Sequence, residues 1–101
     1  MGVYMAIWKN SKMFSICSNG THIFDYTLEV IIDEDRIAIS YLDEGKPMTY
    51  KGSNNHSDHF RLQCNENGGH GSLHRFPDEE KLEGSWVEGG VEGFWIIELK
   101  K

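Results

Sequence analysis

Five histidines give this sequence its most visible potential for metal chemistry. On a strand, His70 and His74 would share a face but stand about 13 Å apart, whereas zinc holds its ligand atoms about 2 Å away. His56 and His59 flank Asp58 where a loop meets a predicted strand, but this spacing matches no established zinc pattern. Polar loop residues are the simpler interpretation, and no metal site is predicted.

The sequence also contains no recognised motif for nucleophilic or acid–base catalysis. There is no Gly-x-Ser-x-Gly elbow, no cysteine–histidine signature and no glycine-rich phosphate loop leading into a helix. The acidic runs at 33–35, 43–44 and 78–80 coincide with predicted turns, where solvation accounts for them. Cys17 and Cys64 lie in apolar runs and are expected to be free thiols that pack as small hydrophobic groups. The sequence therefore favours a non-enzymatic role without a cofactor.

Aromatic side chains that carry a polar group are the main candidates for ligand binding. Each combines a large apolar ring with a hydrogen-bonding atom, so a group of them can hold a small, partly apolar molecule and bond its polar end. The candidates of this type are Tyr41, Tyr50, Trp86 and Trp95.

Arg75 is the fifth candidate ligand-binding residue. If Leu73 faces inward, alternation turns Arg75 inward too, near a rim where it can meet an anionic group or a buried tyrosine. If Phe76 faces inward instead, His70 and His74 accompany it and Arg75 is solvated. Each face of 70–76 carries one good hydrophobic residue, so both orientations remain open.

The elements that must position these residues are strands. Leu82–Trp86 and Gly93–Leu99 alternate with period two around Gly89-Gly90, whose positive φ suits a tight hairpin. Both tryptophans then share one side of the hairpin. Gly84 and Gly93 stand two residues before them and leave room for packing or sharp curvature.

Similar alternation recurs along the whole chain and predicts eight or nine short strands joined by tight turns. Without a helix to cover it, the apolar side of such a sheet must be buried against itself. We therefore predict one all-β domain over residues 1–101, an antiparallel up-and-down β-barrel of about eight strands, with a β-sandwich as the alternative. Its interior would be lined by Leu28, Val30, Ile37, Ile39, Tyr41, Tyr50, Leu62, Trp86, Trp95 and Ile97.

The short meandering strands and the two Gly-x-Trp motifs, Gly84-Ser85-Trp86 and Gly93-Phe94-Trp95, resemble the calycin barrels, in particular the avidins and lipocalins. The resemblance implies a barrel with a ligand-sized mouth. It carries over no individual site residue.

Charge and hydropathy narrow the range of partners. The net charge is −6 and no basic face is visible, which disfavours nucleic acid and anionic membrane surfaces. No apolar stretch approaches the ~20 residues that span a bilayer, and no signal peptide is recognised, so a cytoplasmic location is expected.

Two functional hypotheses follow. In the first, the barrel mouth binds a small, partly apolar molecule through Tyr41, Tyr50, Trp86, Trp95 and Arg75. In the second, the interior is filled and the protein is a non-enzymatic interaction module. Val87, Phe94 and Ile96 fall on the outer side of the last hairpin, and an apolar outer face there predicts either a homodimer contact or cover by the N-terminal segment.

Overall fold

The protein is a closed eight-stranded antiparallel barrel. In the computed structural model, which describes residues 5–20, 23–76 and 78–101, each strand pairs with the next in sequence, and β8 closes the barrel against β1. The strands are β1 Met5–Cys17, β2 Ile23–Asp33, β3 Arg36–Asp43, β4 Lys46–Ser53, β5 His59–Cys64, β6 His70–Arg75, β7 Lys81–Glu88 and β8 Val91–Glu98. No helix occurs in the described ranges, and the predicted all-β up-and-down barrel is confirmed.

The interior is packed with the side chains that period-two alternation places on the inner face. Every residue predicted to line the barrel is buried, and five of them are fully enclosed: Val30, Ile37, Ile39, Tyr50 and Ile97. Trp8, Met13, Phe60, Leu73 and Leu82 join the same cluster. A barrel of eight strands is just wide enough to be filled in this way, and burial of its inner face is what holds the sheet closed.

Two strands are longer than their patterns suggest. The polar pair Asn10-Ser11 interrupts the apolar alternation of the first strand, but β1 is continuous through it and shifts register between Trp8 and Ser11. A β-bulge of this kind bends the strand without ending it. Likewise β4 begins at Lys46 and includes Pro47, because Glu44 and Gly45 adopt positive φ and reverse the chain within two residues.

Glycines allow the tryptophans to lie flat against neighbouring strands. A Cβ at Gly71 would stand 2.5 Å from Cζ3 of Trp95, and a Cβ at Gly93 would stand 2.5 Å from Cζ2 of Trp86. The indoles thus occupy the space that the missing side chains leave, which is how aromatic rings compensate for strand glycines. The last hairpin turns at Gly89 and Gly90, both with positive φ.

The cysteines are free thiols, Cys64 buried and Cys17 partly exposed. Among the described residues no helix has the length and apolar character to cross a membrane.

Candidate binding surfaces

One end of the barrel gathers most of its aromatic hydroxyls. Strands β1, β3, β5 and β7 finish at this end, which we call the tyrosine end and define by Tyr26, Tyr41, Asp43, Tyr50 and Glu88. Asp43 and Glu88 are the final residues of β3 and β7, and both continue the inward face of their strands.

The tyrosine rings form a continuous row. The ring centroids of Tyr26 and Tyr41 are 4.8 Å apart, and those of Tyr41 and Tyr50 are 6.5 Å apart with nearly parallel planes. Tyr50 then meets Trp95 edge-on at 4.9 Å. These spacings are typical of favourable aromatic pairs, so the row is a rigid wall that runs from the core to the rim.

Hydrogen bonds connect the outer part of this wall to two acidic side chains. The Tyr26 hydroxyl donates to Oδ1 of Asp43 at 3.3 Å. From the β5–β6 turn, Asn67 places its side-chain amide against both the Tyr50 hydroxyl and the Glu88 carboxylate. The Asn67 carbonyl in turn accepts the Gly69 amide at 2.6 Å. These hydrogen bonds of Asn67 hold the β5–β6 turn over the end of the barrel.

Burial alters the acid–base behaviour of these groups. It is the main cause that raises the pKa of Tyr26 to about 12, with the nearby Asp43 carboxylate adding to the shift. It also raises the pKa of Tyr41 and of Tyr50 above their ordinary value. The pKa of Glu88 is raised as well, chiefly by burial and further by the charge of Asp43.

Arg75 lies at the opposite end of the barrel. Leu73 is buried, so the inward orientation of the 70–76 strand is the one observed, and the Arg75 guanidinium stands over the Trp8 ring, 5.4 Å from its centroid. A cation in this position is stabilised by the electron-rich face of the indole. The structure therefore does not bring Arg75 together with Tyr41 and Tyr50.

The remaining sequence-derived candidates are the two late tryptophans. Trp95 is 1% exposed and belongs to the tyrosine row through Tyr50. Trp86 is also buried and donates its indole hydrogen to the carbonyl oxygen of Phe94 at 3.3 Å. Of the five predicted residues, Tyr41, Tyr50 and Trp95 thus form one connected row, while Trp86 and Arg75 lie elsewhere.

A groove on the outer wall was not predicted as a site. It runs over β5 to β8 and has a volume of about 810 Å³. The small side chains Ser72 and Ser85 lie opposite each other on β6 and β7, with larger groups on both sides. We call this the outer groove and define it by Ile16, Arg61, Ser72, Ser85, Phe94 and Ile96.

The two sides of the outer groove differ in chemistry. The β8 side is apolar, since Phe94 is 55% exposed and Ile96 and Ile16 are half-buried beside it. The β5 side carries Arg61, which forms no hydrogen bond or ion pair with any side chain in the described part of the molecule. A second concavity of about 790 Å³ shares Arg61 and extends the polar side toward Lys51 and His70.

Two histidines face each other at the edge of the outer groove. The rings of His59 and His74 are 4.4 Å apart, and His74 also meets Phe76 edge-on. Two buried nitrogens, Nδ1 of His74 and Nε1 of Trp8, have no hydrogen-bond partner within the described residues. Over the same ranges, no cluster of three or more histidine, cysteine or acidic residues is arranged to hold a metal ion.

No protein-family model, no curated protein and no solved structure matches this chain.

Proposed function

We propose that the protein is a non-enzymatic interaction module that pairs with a second copy of itself through the outer groove. The observation that carries this proposal is the contrast between a filled interior and an exposed apolar outer wall. Ten predicted lining residues are buried, whereas Phe94 projects from the wall beside a groove of about 810 Å³. Exposed apolar surface next to a concavity is typical of protein interfaces.

A second copy is the occupant that the groove fits best. In a two-fold interface each chain contributes the same patch, so a protruding group must meet a recess of the same patch. Phe94 is such a group, and the floor at Ser72 and Ser85 is such a recess. The groove also carries both signs of charge, with Arg61 on β5 and, on β7, Glu83, which forms an ion pair with Lys81 in its own chain. Two-fold symmetry can therefore bring the cation of one chain to the carboxylate of the other.

Sedimentation velocity over a range of concentrations tests this proposal. We expect a reversible dimer with a dissociation constant below about 100 μM. Replacing Phe94 by serine removes about 1 kcal/mol of apolar burial from each copy, because about half of the ring is still exposed in one chain. The symmetric loss of about 2 kcal/mol should weaken the dimer about 30-fold.

The control is Leu42→Ser, since Leu42 is 63% exposed but lies on β3, away from the outer groove. It should leave the dimer unchanged. A wild-type protein that sediments as a monomer at the highest concentrations, or equal effects of the two variants, would contradict the proposal.

A second candidate is the binding of a small molecule at the mouth of the barrel, the role that a calycin-like barrel suggests. The row of Tyr26, Tyr41 and Tyr50 at the tyrosine end favours it, because amphipathic rings at a barrel mouth can hold a ligand by its apolar and polar parts together. On this proposal Arg75 and Trp86 are not ligand contacts, and the bound molecule quenches the fluorescence of Trp95 through its contact with Tyr50.

A further inference from the structure

We infer that the second concavity of the outer wall binds a small molecule that carries two or more phosphate groups. We call it the basic concavity and define it by Arg36, Lys51, Arg61, Gln63, His70 and Ser72. The inference goes beyond the proposed function, because Arg36, Lys51 and His70 lie outside the outer groove and one chain provides the whole site. Its volume of about 790 Å³ is within the range of small-ligand sites.

Strand register brings three cations together on one face of the sheet. Lys51 of β4 lies opposite Ala38 of β3 and Gln63 of β5. Arg36 and Arg61 stand two residues along from these partners, so each arginine is a diagonal neighbour of Lys51, about 7–8 Å away. Side chains of this length can converge on one bound group across such a distance. The cations come from three separate strands, which is why no basic face is visible along the sequence.

The positive charge of the basic concavity is largely uncompensated. Within residues 5–20, 23–76 and 78–101, the side chains of Lys51 and Arg61 form no ion pair or hydrogen bond, and no aspartate or glutamate lines the concavity. Arg36 pairs with Asp33 through Nε, so its terminal nitrogens remain for a ligand. Like charges held this close repel each other, and a multivalent anion removes the repulsion.

Neutral donors lie among the cations. Ser72 is opposite Arg61, and Gln63 is opposite His70. All four side chains are exposed, so a hydroxyl and an amide face the same space as the charged groups. Phosphate oxygens accept hydrogen bonds from such donors, and the planar arginine fork matches two of them at once. The combination is typical of a phosphate site.

Acidic side chains at both ends of the concavity favour a compact ligand over a long polyanion. Asp33 holds Arg36 at one end. At the other end Glu66 accepts the Thr49 amide, and the charge of Lys51 reaches its carboxylate. A nucleic-acid strand that ran along β4 would meet a carboxylate at either end, whereas a diphosphate group fits between them.

Titration with inorganic pyrophosphate, followed by amide chemical shifts in the full chain, tests the inference. We expect a dissociation constant below about 1 mM, with shifts centred on Lys51, Gln63 and His70. Orthophosphate should bind at least tenfold more weakly, because a single phosphate cannot contact all three cations together. Sodium chloride at matched ionic strength corrects for screening. Phe94→Ser should bind pyrophosphate as the wild type does, which separates this site from the dimer contact.

Lys51→Gln should weaken pyrophosphate binding about tenfold, because it removes the cation that adjoins both arginines. Lys12→Gln is the matched control, since Lys12 is an exposed lysine of β1 outside the concavity and its loss changes the net charge equally. An absence of pyrophosphate binding, equal binding of orthophosphate, or equal effects of the two variants would overturn the inference. Tighter binding of a single-stranded oligothymidylate would also overturn it and would assign the surface to nucleic acid.

Discussion

The contact between Trp95 and Gly71 offers a direct test of how the barrel is packed. In Gly71→Ala the new Cβ would lie 2.5 Å and 2.8 Å from two ring carbons of Trp95, and the nearest backbone atom would be at an ordinary 3.5 Å. The indole is 1% exposed and packs edge-on against Tyr50. Overpacking of this kind costs about 1–3 kcal/mol, which lowers the melting temperature of a domain this size by about 5–20 °C.

A double-mutant cycle measured by urea unfolding isolates the contact. Trp95→Leu alone should cost about 3 kcal/mol through lost burial. In that background Gly71→Ala should cost close to nothing, because the ring that it strikes is gone. Gly84→Ala is the contrasting variant, since its Cβ would overlap the backbone carbonyl of Ser72, and the same background should not rescue it. Equal costs of Gly71→Ala with and without Trp95 would refute the packing described here.

Three further predictions concern titratable groups. Burial raises the pKa of Glu88, so ionisation of this side chain destabilises the folded state at neutral pH, and the penalty disappears below the ordinary pKa of glutamate. Glu88→Gln should therefore increase the free energy of unfolding in urea at pH 7. This gain in stability should vanish near pH 4. A chromogenic thiol reagent should modify the partly exposed Cys17 in the native protein. It should react with Cys64 only on unfolding, because Cys64 is buried and the pKa of its thiol is raised. Alkaline absorbance titration should show Tyr26 ionising near pH 12, and Asp43→Asn should lower that midpoint because it removes a neighbouring negative charge.

Much of the fold could be predicted because alternation and turn chemistry agree along the chain. Ile37, Ile39 and Tyr41 repeat at period two, and all three are buried on the inner face of β3. The paired glycines Gly89 and Gly90 reverse the chain where the pattern requires a hairpin. Local signals of this kind determine which face of each strand is apolar, and a sheet with one apolar face and no helix closes on itself.

The orientation of the 70–76 strand could not be predicted from its own sequence, because it carries one hydrophobic residue on each face. Leu73 and Phe76 compete for the interior, and the choice is made by pairing. Leu73 lies opposite Gly84, where the backbone of β6 comes so close that a Cβ would overlap the Ser72 carbonyl. With Leu73 inward, Arg75 is turned toward Trp8. Such information comes from the neighbouring strand, more than ten residues away.

The tyrosine end was predicted only in part for a related reason. Tyr41 and Tyr50 were recognised by their chemistry, but Asp43 was interpreted as a solvated turn residue and Glu88 was not singled out. Because both hairpins turn within two residues, the strands extend far enough to include these acids and keep them on the inward side. Their parity with Tyr41 and Trp86 is visible in the sequence and is the signal that could have identified them.

The central claim is that the outer wall, and not the filled interior, is where this protein meets its partner. Amide chemical shifts recorded over serial dilution test it most directly. We expect concentration-dependent shifts confined to the outer groove, at Ser72, Ser85 and Phe94, and unchanged positions at the tyrosine end. Spectra that do not change with concentration, or changes centred on Tyr41 and Glu88, would contradict the account.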